Sequence, residues 1–201
     1  MAKHRHLTPR EICMQCKIVA RESRMCERAP WTAMGIICAY SLLKSEGFKT
    51  QRIVKITNAI DEMEHKYDAG ELTVEDVSKR LMDKADWTIE HKEYQESDIR
   101  AKKGSYQYWI DKKQIDPQNA INKQATRYML FFFAALMDEY GYGRDRLTRV
   151  QEYMNNILLD YQQNKTTVEA WRLELLNETG IVFEQPIDPL TQTSGSIMTG
   201  V

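Results

Sequence analysis

The chain has 201 residues, of which 42% are hydrophobic and 28% charged, so it can bury a core and does not belong to the disordered class. Its net charge of −1 argues against a protein whose whole surface binds nucleic acid, although a local basic patch is compatible with it. Only nine glycines and five prolines are present, and runs of β-branched residues are few. This composition favours helix, and we expect an all-α fold.

The amino-terminal sequence is polar, and no apolar run reaches the roughly 18 residues that a membrane-spanning helix needs. We therefore expect neither a signal peptide nor a transmembrane helix, and a cytoplasmic protein that does not bind membranes.

The first predicted helix begins at Thr8-Pro9, where a capping residue precedes a proline suited to the first helical position, and it extends to about Arg24. One face of this helix is basic and includes Arg21 and Arg24. Residues 3–28 contain seven Lys or Arg and three acidic residues. A charged face is commonly only solvated, and the alternative is contact with an anionic partner. Residues 1–29 form the predicted basic amino-terminal segment.

Six further helices are predicted from apolar residues at steps of three and four, with caps and glycine stops at their ends. Gly47, Gly141 and Gly180 are the expected stops, and Thr73 and Thr167 the expected caps. The helix that follows Asp116-Pro117 is apolar nearly all round at Phe131-Phe132-Phe133, which indicates the centre of the core. The predicted ranges are Trp31 to Glu46, Thr50 to Tyr67, Thr73 to about Lys84, Asp116 to Tyr140, Arg144 to Tyr161, and Thr167 to Gly180.

An internal repeat relates the two halves of the chain. Residues 32–90 align without a gap to residues 126–184 at an offset of 94, and ten of the 59 pairs are identical. Helix stops, caps and apolar positions coincide in this alignment. We predict two tandem three-helix repeats, residues 30–90 and 116–184, packed with pseudo-two-fold symmetry. Residues 87–89 and 181–183 are candidates for a minimal β-ribbon between them. The alternative is two similar amphipathic hairpins that arose by chance.

The two arginines that recur in this repeat are candidate partner-binding residues. Arg52 and Arg146 each lie in the first turns of a long amphipathic helix, where a cation interacts unfavourably with the helix dipole. A salt bridge, or a bond to carbonyls of the preceding helix, would offset this cost. The functional alternative is contact with an anion or a partner.

Residues 91–115 form a predicted connector that is rich in charge and aromatic rings. Basic and aromatic side chains together can bind single-stranded nucleic acid by stacking on its bases. The structural alternative is a helix whose rings pack on the core while its lysines face water. The candidate binding residues are Lys102, Lys103, Tyr106, Tyr108 and Trp109. Residues 185–201 form a predicted flexible tail.

The four cysteines, at positions 13, 16, 26 and 38, all lie near the amino terminus. Cys13 and Cys16 have the spacing of half a zinc site, for which Cys26 could supply a further ligand. Because the spacing falls within a predicted helix, buried or idle thiols are the simpler interpretation. We expect no metal and no other cofactor.

No catalytic motif is present in the sequence. It contains no P-loop, no G-x-G-x-x-G, no G-x-S-x-G and no H-E-x-x-H. Glu62, Glu64 and His65 do not converge on one helix face as a two-metal site requires. We therefore expect that the protein is not an enzyme.

The block Gly-[Phe/Tyr]-x-x-x-Arg-[Ile/Leu] occurs twice, at residues 47–53 and 141–147, and each copy precedes an amphipathic helix and then Thr-Val-Glu. It resembles a unit of small helical proteins encoded by phages and mobile elements of Gram-positive bacteria. Their unit ends in a run like Glu178-Thr179-Gly180-Ile181, from which the first half departs with Lys84-Ala85-Asp86-Trp87. The resemblance implies a phage-type accessory or regulatory protein and no mechanism.

These observations together predict a non-catalytic protein that binds a macromolecule of the host or the phage, more readily a protein than DNA, and that could inhibit a host process. One alternative is a single-stranded nucleic-acid-binding accessory protein. Another is a zinc-stabilised regulator that uses the amino-terminal cysteines. A homo-oligomer is compatible with each of them.

Overall fold

The computed structural model describes residues 29–89 and 93–183. The predicted amino-terminal helix and the flexible tail lie outside these residues, as do the candidate residues Arg21, Arg24, Cys13, Cys16 and Cys26.

The described residues are all-helical, as the composition predicted, and contain no strand. A short 3₁₀ turn, Glu96–Asp98, precedes the fourth helix. No helix in this part of the chain has the length and apolarity to span a membrane. The helices are α1 (Ala29–Glu46), α2 (Thr50–Asp68), α3 (Val74–Ala85), α4 (Tyr106–Tyr140), α5 (Arg144–Gln162) and α6 (Val168–Thr179).

The described residues divide into two compact units. We call residues 93–123 the connector unit, and residues 29–89 together with 124–183 the main unit. The long helix α4 contributes its first half to the connector unit and its last 17 residues, 124–140, to the main unit.

The glycine stops predicted after α1 and α4 are confirmed. Gly47 and Gly141 have φ angles of 63° and 64°, in the left-handed region that favours glycine. The next residue then donates its amide to a carbonyl six positions earlier, from Phe48 to Leu42 and from Tyr142 to Leu136. This bond satisfies a carbonyl at the end of the preceding helix. The chain can therefore turn sharply into α2 and α5.

The predicted threonine caps of α3 and α6 are also confirmed. Thr73 Oγ1 accepts a hydrogen bond from the amide of Asp76, and Thr167 Oγ1 accepts one from the amide of Ala170, both at 3.1 Å. Each bond satisfies an amide that the first helical turn leaves without a partner. Helices α3 and α6, which begin at these caps, have 12 residues each. Helices α2 and α5 have 19 residues each.

The core of the main unit is centred on α4, as its apolar sequence predicted. Phe131, Phe132, Phe133 and Leu136 are completely buried. Tyr67 of α2 packs edge-on against Phe131, and Trp87, which follows α3, lies 4.1 Å from Phe133 between ring centroids. These contacts place α2 and the end of α3 against α4.

Helix α1 packs on the other pair of helices, α5 and α6, and also contacts α2. Tyr40 of α1 stacks on Trp171 of α6 with ring centroids 5.8 Å apart. The first helix of each predicted repeat therefore contacts helices of the other repeat.

Two ion pairs join helices of one predicted repeat to helices of the other. Lys44 of α1 pairs with Glu174 of α6, and Arg80 of α3 pairs with Asp138 of α4 at 3.2 Å. Positions 44 and 138 are 94 residues apart, and so are positions 80 and 174. Each ion pair thus joins one residue of the first half to one of the second, and the aligned positions have opposite charges in the two pairs.

Two expectations from the sequence are wrong. Helix α4 begins at Tyr106 and not after Asp116, because Ser105 accepts the amide of Tyr108 and caps the helix eleven residues before the predicted cap. Pro117 therefore lies inside α4, where it lacks one backbone donor. The β-ribbon does not form between residues 87–89 and 181–183, where no described residue is in a strand. Trp87 buries its ring on α4 instead.

Candidate functional site

The two recurring arginines line a single open pocket in the main unit. This arginine pocket has a volume of about 330 Å³, and both of the turns that follow the glycine stops contribute to it. Its seven lining residues are Glu46, Phe48, Arg52, Tyr140, Tyr142, Arg146 and Arg149. Three of the seven are arginines and three are aromatic, so the lining offers cations beside rings.

Each recurring arginine lies over the ring that follows its glycine stop. The guanidinium of Arg52 is 5.4 Å from the ring centroid of Phe48, and that of Arg146 is 5.4 Å from the ring centroid of Tyr142. A cation within about 6 Å of a ring face is attracted by the negative charge of that face. This contact offsets the unfavourable position of a cation near a helix start, for which the sequence suggested a salt bridge or carbonyl bonds.

Arg52 and Arg146 differ from the other arginines of the main unit. The described part of that unit contains seven arginines, and within it these two alone have no carboxylate at ion-pair distance. Their side chains are also exposed. The five arginines in ion pairs are Arg80 with Asp138, Arg127 with Glu64, Arg144 with Asp86, Arg149 with Glu46, and Arg172 with Glu169.

One carboxylate already lies in the pocket wall. Glu46 accepts hydrogen bonds from Tyr142 Oη at 2.8 Å and from Arg149 Nε at 3.1 Å, and its side chain is only 12% exposed. A buried carboxylate needs such donors to replace the water it has lost. Burial and the hydrogen bond to Glu46 together raise the pKa of Tyr142 to about 12, which Arg146 and Arg149 partly oppose.

The pocket is chemically equipped to bind an anion. Its donors are guanidinium groups, which offer planar pairs of N–H groups to carboxylate or phosphate oxygens. Its one carboxylate, Glu46, is held by two hydrogen bonds from Tyr142 and Arg149. Cysteine, serine, threonine and histidine do not occur among its lining residues.

The candidate residues of the connector unit differ in how exposed their side chains are. Tyr108 is buried, and its hydroxyl bonds to Glu96, which also binds Lys112 at 2.5 Å. Trp109 is 46% exposed and Tyr106 36% exposed. Lys102 and Lys103 are exposed in the loop before α4. Tyr108 is therefore buried within the connector unit, edge-on against Trp109, and neither ring is among the described residues of the hydrophobic core, on which the structural alternative had placed them.

The other candidates remain predictions. Arg21, Arg24, Cys13, Cys16 and Cys26 lie outside the described residues. Cys38 is buried in α1, and burial raises the pKa of its thiol well above the usual value. Within residues 29–89 and 93–183, no three His, Cys, Asp or Glu side chains are grouped to hold a metal ion. His65 is exposed on α2, as expected of a surface residue.

Sequence reasoning singled out two of the seven pocket residues. It missed the contributions of Glu46, Tyr140 and Arg149, because they reach the pocket through packing between distant segments. The sequence pattern does indicate Phe48 and Tyr142 as pocket residues, because each lies four residues before a recurring arginine. That spacing places a ring beside a guanidinium at a helix start.

Comparison with known proteins finds no matching family model, no matching curated protein and no matching solved structure.

We predict that the pKa of Tyr142 follows the charges of the pocket. Glu46→Gln removes a negative charge and weakens the hydrogen bond, so the pKa should fall from about 12 toward the ordinary value of 10.0. Arg146→Gln removes a cation that stabilises tyrosinate, so the pKa should rise. Titration by NMR of protein labelled at tyrosine Cζ would measure both shifts.

Glu62→Gln is the matched control for this titration, because Glu62 pairs with Lys66 at 2.6 Å. Since the folded-state pKa of Tyr142 is raised, its contribution to stability is complete below pH 10 and is lost as the pH rises through about 12. Glu46→Gln should move this loss to lower pH. A Tyr142 pKa that is the same in Glu46→Gln as in the wild type would contradict the geometry of the pocket.

Proposed function

We propose that this protein is non-catalytic and acts by binding another protein, and that the arginine pocket is a contact for that partner. The observation that carries the proposal is the pairing pattern of the seven arginines. Five of them are used within the main unit, whereas Arg52 and Arg146 leave their donors free of carboxylates among the described residues. Arginine and tyrosine are enriched among the residues that dominate protein interfaces.

The biological role that we propose for this binding rests on the amino-acid sequence alone. A phage-type accessory or regulatory role is what the resemblance of the two Gly-[Phe/Tyr]-x-x-x-Arg-[Ile/Leu] blocks implies. A cytoplasmic location belongs to the same proposal, as does inhibition of a host process. The zinc-stabilised alternative stays a prediction, since its cysteines lie outside the described residues.

We further propose that the main unit is a duplicated three-helix unit arranged with pseudo-two-fold symmetry. Helix α5 begins and ends 94 positions after α2, and α6 does so relative to α3. The two cation–ring contacts have the same length, 5.4 Å. Positions 44 and 174 pair as positions 138 and 80 do. These agreements between the halves support duplication over a chance likeness of two hairpins.

One observation favours a second candidate function. Trp109 keeps 46% of its surface exposed, and Lys112 Nζ lies 6.0 Å from the centroid of its ring. An exposed ring beside cations can stack on bases while the cations contact phosphates. Single-stranded nucleic acid binding by the connector unit is therefore the alternative function.

The protein-binding proposal predicts that a partner is lost when both free guanidiniums are removed. Immobilised wild-type protein should retain a specific protein from a lysate of its own cell of origin. The variant Arg52→Gln/Arg146→Gln should retain it roughly tenfold less, because each lost guanidinium removes a charge-assisted contact. Quantitative mass spectrometry of the retained proteins measures the ratio.

Arg144→Gln is the matched control, because Arg144 begins the same helix as Arg146 but pairs with Asp86 and does not line the pocket. Equal circular dichroism melting curves would show that the variants are folded. Retention of the same protein by the double variant would refute the role of the pocket. Capture of no protein by the wild type would refute the proposed function.

The pseudo-two-fold proposal predicts that the reversed ion pairs are interchangeable. Lys44→Asp with Asp138→Lys places like charges at both pairs and should lower the free energy of unfolding by about 1–3 kcal/mol. Adding Arg80→Glu and Glu174→Arg restores both pairs with their charges exchanged. The four-residue variant should return to within about 1 kcal/mol of the wild type. Denaturant unfolding measures both values.

The hydroxyl of Tyr40 donates to Glu174 at 3.0 Å, so the recovery in the four-residue variant should be incomplete. Tyr40→Phe as a common background removes this extra bond from the comparison. A four-residue variant no more stable than the two-residue variant would show that the two positions are not equivalent.

The alternative function predicts binding of a fluorescent oligothymidine at low salt. Trp109→Ala should weaken it by about fivefold or more, because stacking contributes roughly 1–3 kcal/mol per base. Leu173→Ala is the control, since Leu173 is similarly exposed, at 45%, and lies in the main unit. Fluorescence anisotropy measures the affinities, and no binding at low salt would exclude this candidate.

A further inference from the structure

The charges of the arginine pocket are not balanced among its lining residues. Three guanidiniums and one carboxylate line it. The carboxylate, that of Glu46, is bound by Arg149 and Tyr142. Arg52 and Arg146 thus contribute two positive charges for which the lining holds no further carboxylate.

The orientation of these two cations is set before any ligand arrives. Each guanidinium lies over a buried ring, since Phe48 and Tyr142 are only 2% and 5% exposed. Phe48 in turn packs on Tyr140, with ring centroids 5.0 Å apart. A guanidinium held on a rigid ring loses less freedom on binding than one on a mobile side chain, which favours affinity.

The position of the pocket adds to its positive potential. Arg52 and Arg146 lie in the first turns of α2 and α5, where backbone amides and the helix dipole also favour a negative charge. The first turn of α2 contains no acidic residue that would neutralise this end. The first turn of α5 does contain one, Asp145, so an anion in the pocket would gain from the start of α2 and from both arginine side chains.

The protein itself shows that this lining accepts a carboxylate. Glu46 is held at 2.8 Å by a tyrosine hydroxyl and at 3.1 Å by an arginine Nε, both of which belong to the pocket. The two remaining guanidiniums offer the same kind of donor to a second carboxylate. The volume of about 330 Å³ is at the lower end of the range for ligand pockets, and it suits one inserted side chain.

An acidic protein segment fits this pocket better than a nucleic acid does. A nucleic acid backbone needs several phosphate contacts along a continuous basic surface. Here the carboxylate of Glu46 forms part of the lining, and Lys55, which follows Arg52 by one helical turn, is paired with Glu139. The positive region is therefore local. It matches one or two carboxylates beside an apolar residue that can contact Tyr140.

We propose that Arg52 and Arg146 bind a glutamate or aspartate carboxylate of an acidic segment of the partner protein. The inference rests on the proposed function and names the chemistry of its partner. Phe48 and Tyr142 act as positioning residues. Their rings hold the two guanidiniums in place, and because the rings are buried they do not contact the ligand themselves. Tyr140 contacts the apolar neighbour of the acidic residue.

The test uses two fluorescein-labelled peptides that differ only in charge. One has the central sequence Glu-Phe-Glu between Gly-Ser flanks, and the other has Gln-Phe-Gln. At low salt, the wild type and Arg144→Gln should bind the acidic peptide at least about tenfold more tightly than the neutral one. Arg52→Gln/Arg146→Gln should lose this preference, while its affinity for the neutral peptide stays the same.

A lysine variant separates charge from geometry. Arg52→Lys/Arg146→Lys keeps both charges but loses the planar pairs of donors and the tight stacking on the rings, so it should recover only part of the preference. Full recovery would show that positive charge alone is sufficient and would overturn the assigned guanidinium geometry. Fluorescence anisotropy with full-length protein gives all of these affinities.

Three results would overturn the inference. They are no detectable binding of the acidic peptide, an equal loss in Arg144→Gln, and tighter pocket-dependent binding of an oligothymidine of the same charge. The last result would assign the pocket to phosphates. If the wild type still captures a partner in a pocket-dependent manner, any of these results removes the carboxylate assignment and leaves the proposed function intact.

Discussion

Burial of the apolar end of α4 is the constraint on which the main unit depends. The phenylalanine run and Leu136 are completely buried, and a helix that is apolar nearly all round cannot be covered by one neighbour. Tyr67 and Trp87 bring α2 and the end of α3 onto it, while α1 packs on α5 and α6. Helix α1 is thus covered by helices from the second half of the chain, and α4 by helices from the first half. This arrangement brings together the two turns that follow α1 and α4. The arginine pocket is where they meet.

Sequence reasoning predicted the helices well because their ends are local signals. A glycine in the left-handed region or a threonine cap acts within a few residues, and Gly47, Gly141, Thr73 and Thr167 all act as expected. It failed where two local signals competed. Asp116-Pro117 has the pattern of a helix start, but Ser105 caps the same helix eleven residues earlier. The β-ribbon failed because burial of Trp87 on α4 decides the path of residues 87–89, and that contact is not local.

The candidate site was only partly predictable for the same reason. The offset of 94 residues aligns Arg52 with Arg146 in the sequence, and each has a ring four residues before it. Their lack of carboxylate partners in the described part of the main unit appears only after folding, because the other five arginines find acids on distant segments. The bond between Glu46 and Arg149 joins residues 103 positions apart. No sequence pattern of either residue reveals it.

We propose that Arg52 and Arg146, two of the seven arginines in the described part of the main unit, bind an external carboxylate. The most direct measurement is a spectrum of the arginine Nε–Hε groups in ¹⁵N-labelled full-length protein, assigned with single lysine variants and followed as the acidic peptide is added. We expect the signals of Arg52 and Arg146 to shift together and saturate, while those of Arg80, Arg127, Arg144 and Arg172 stay in place. Equal shifts of all the arginine signals, or no shift at Arg52 and Arg146, would contradict it.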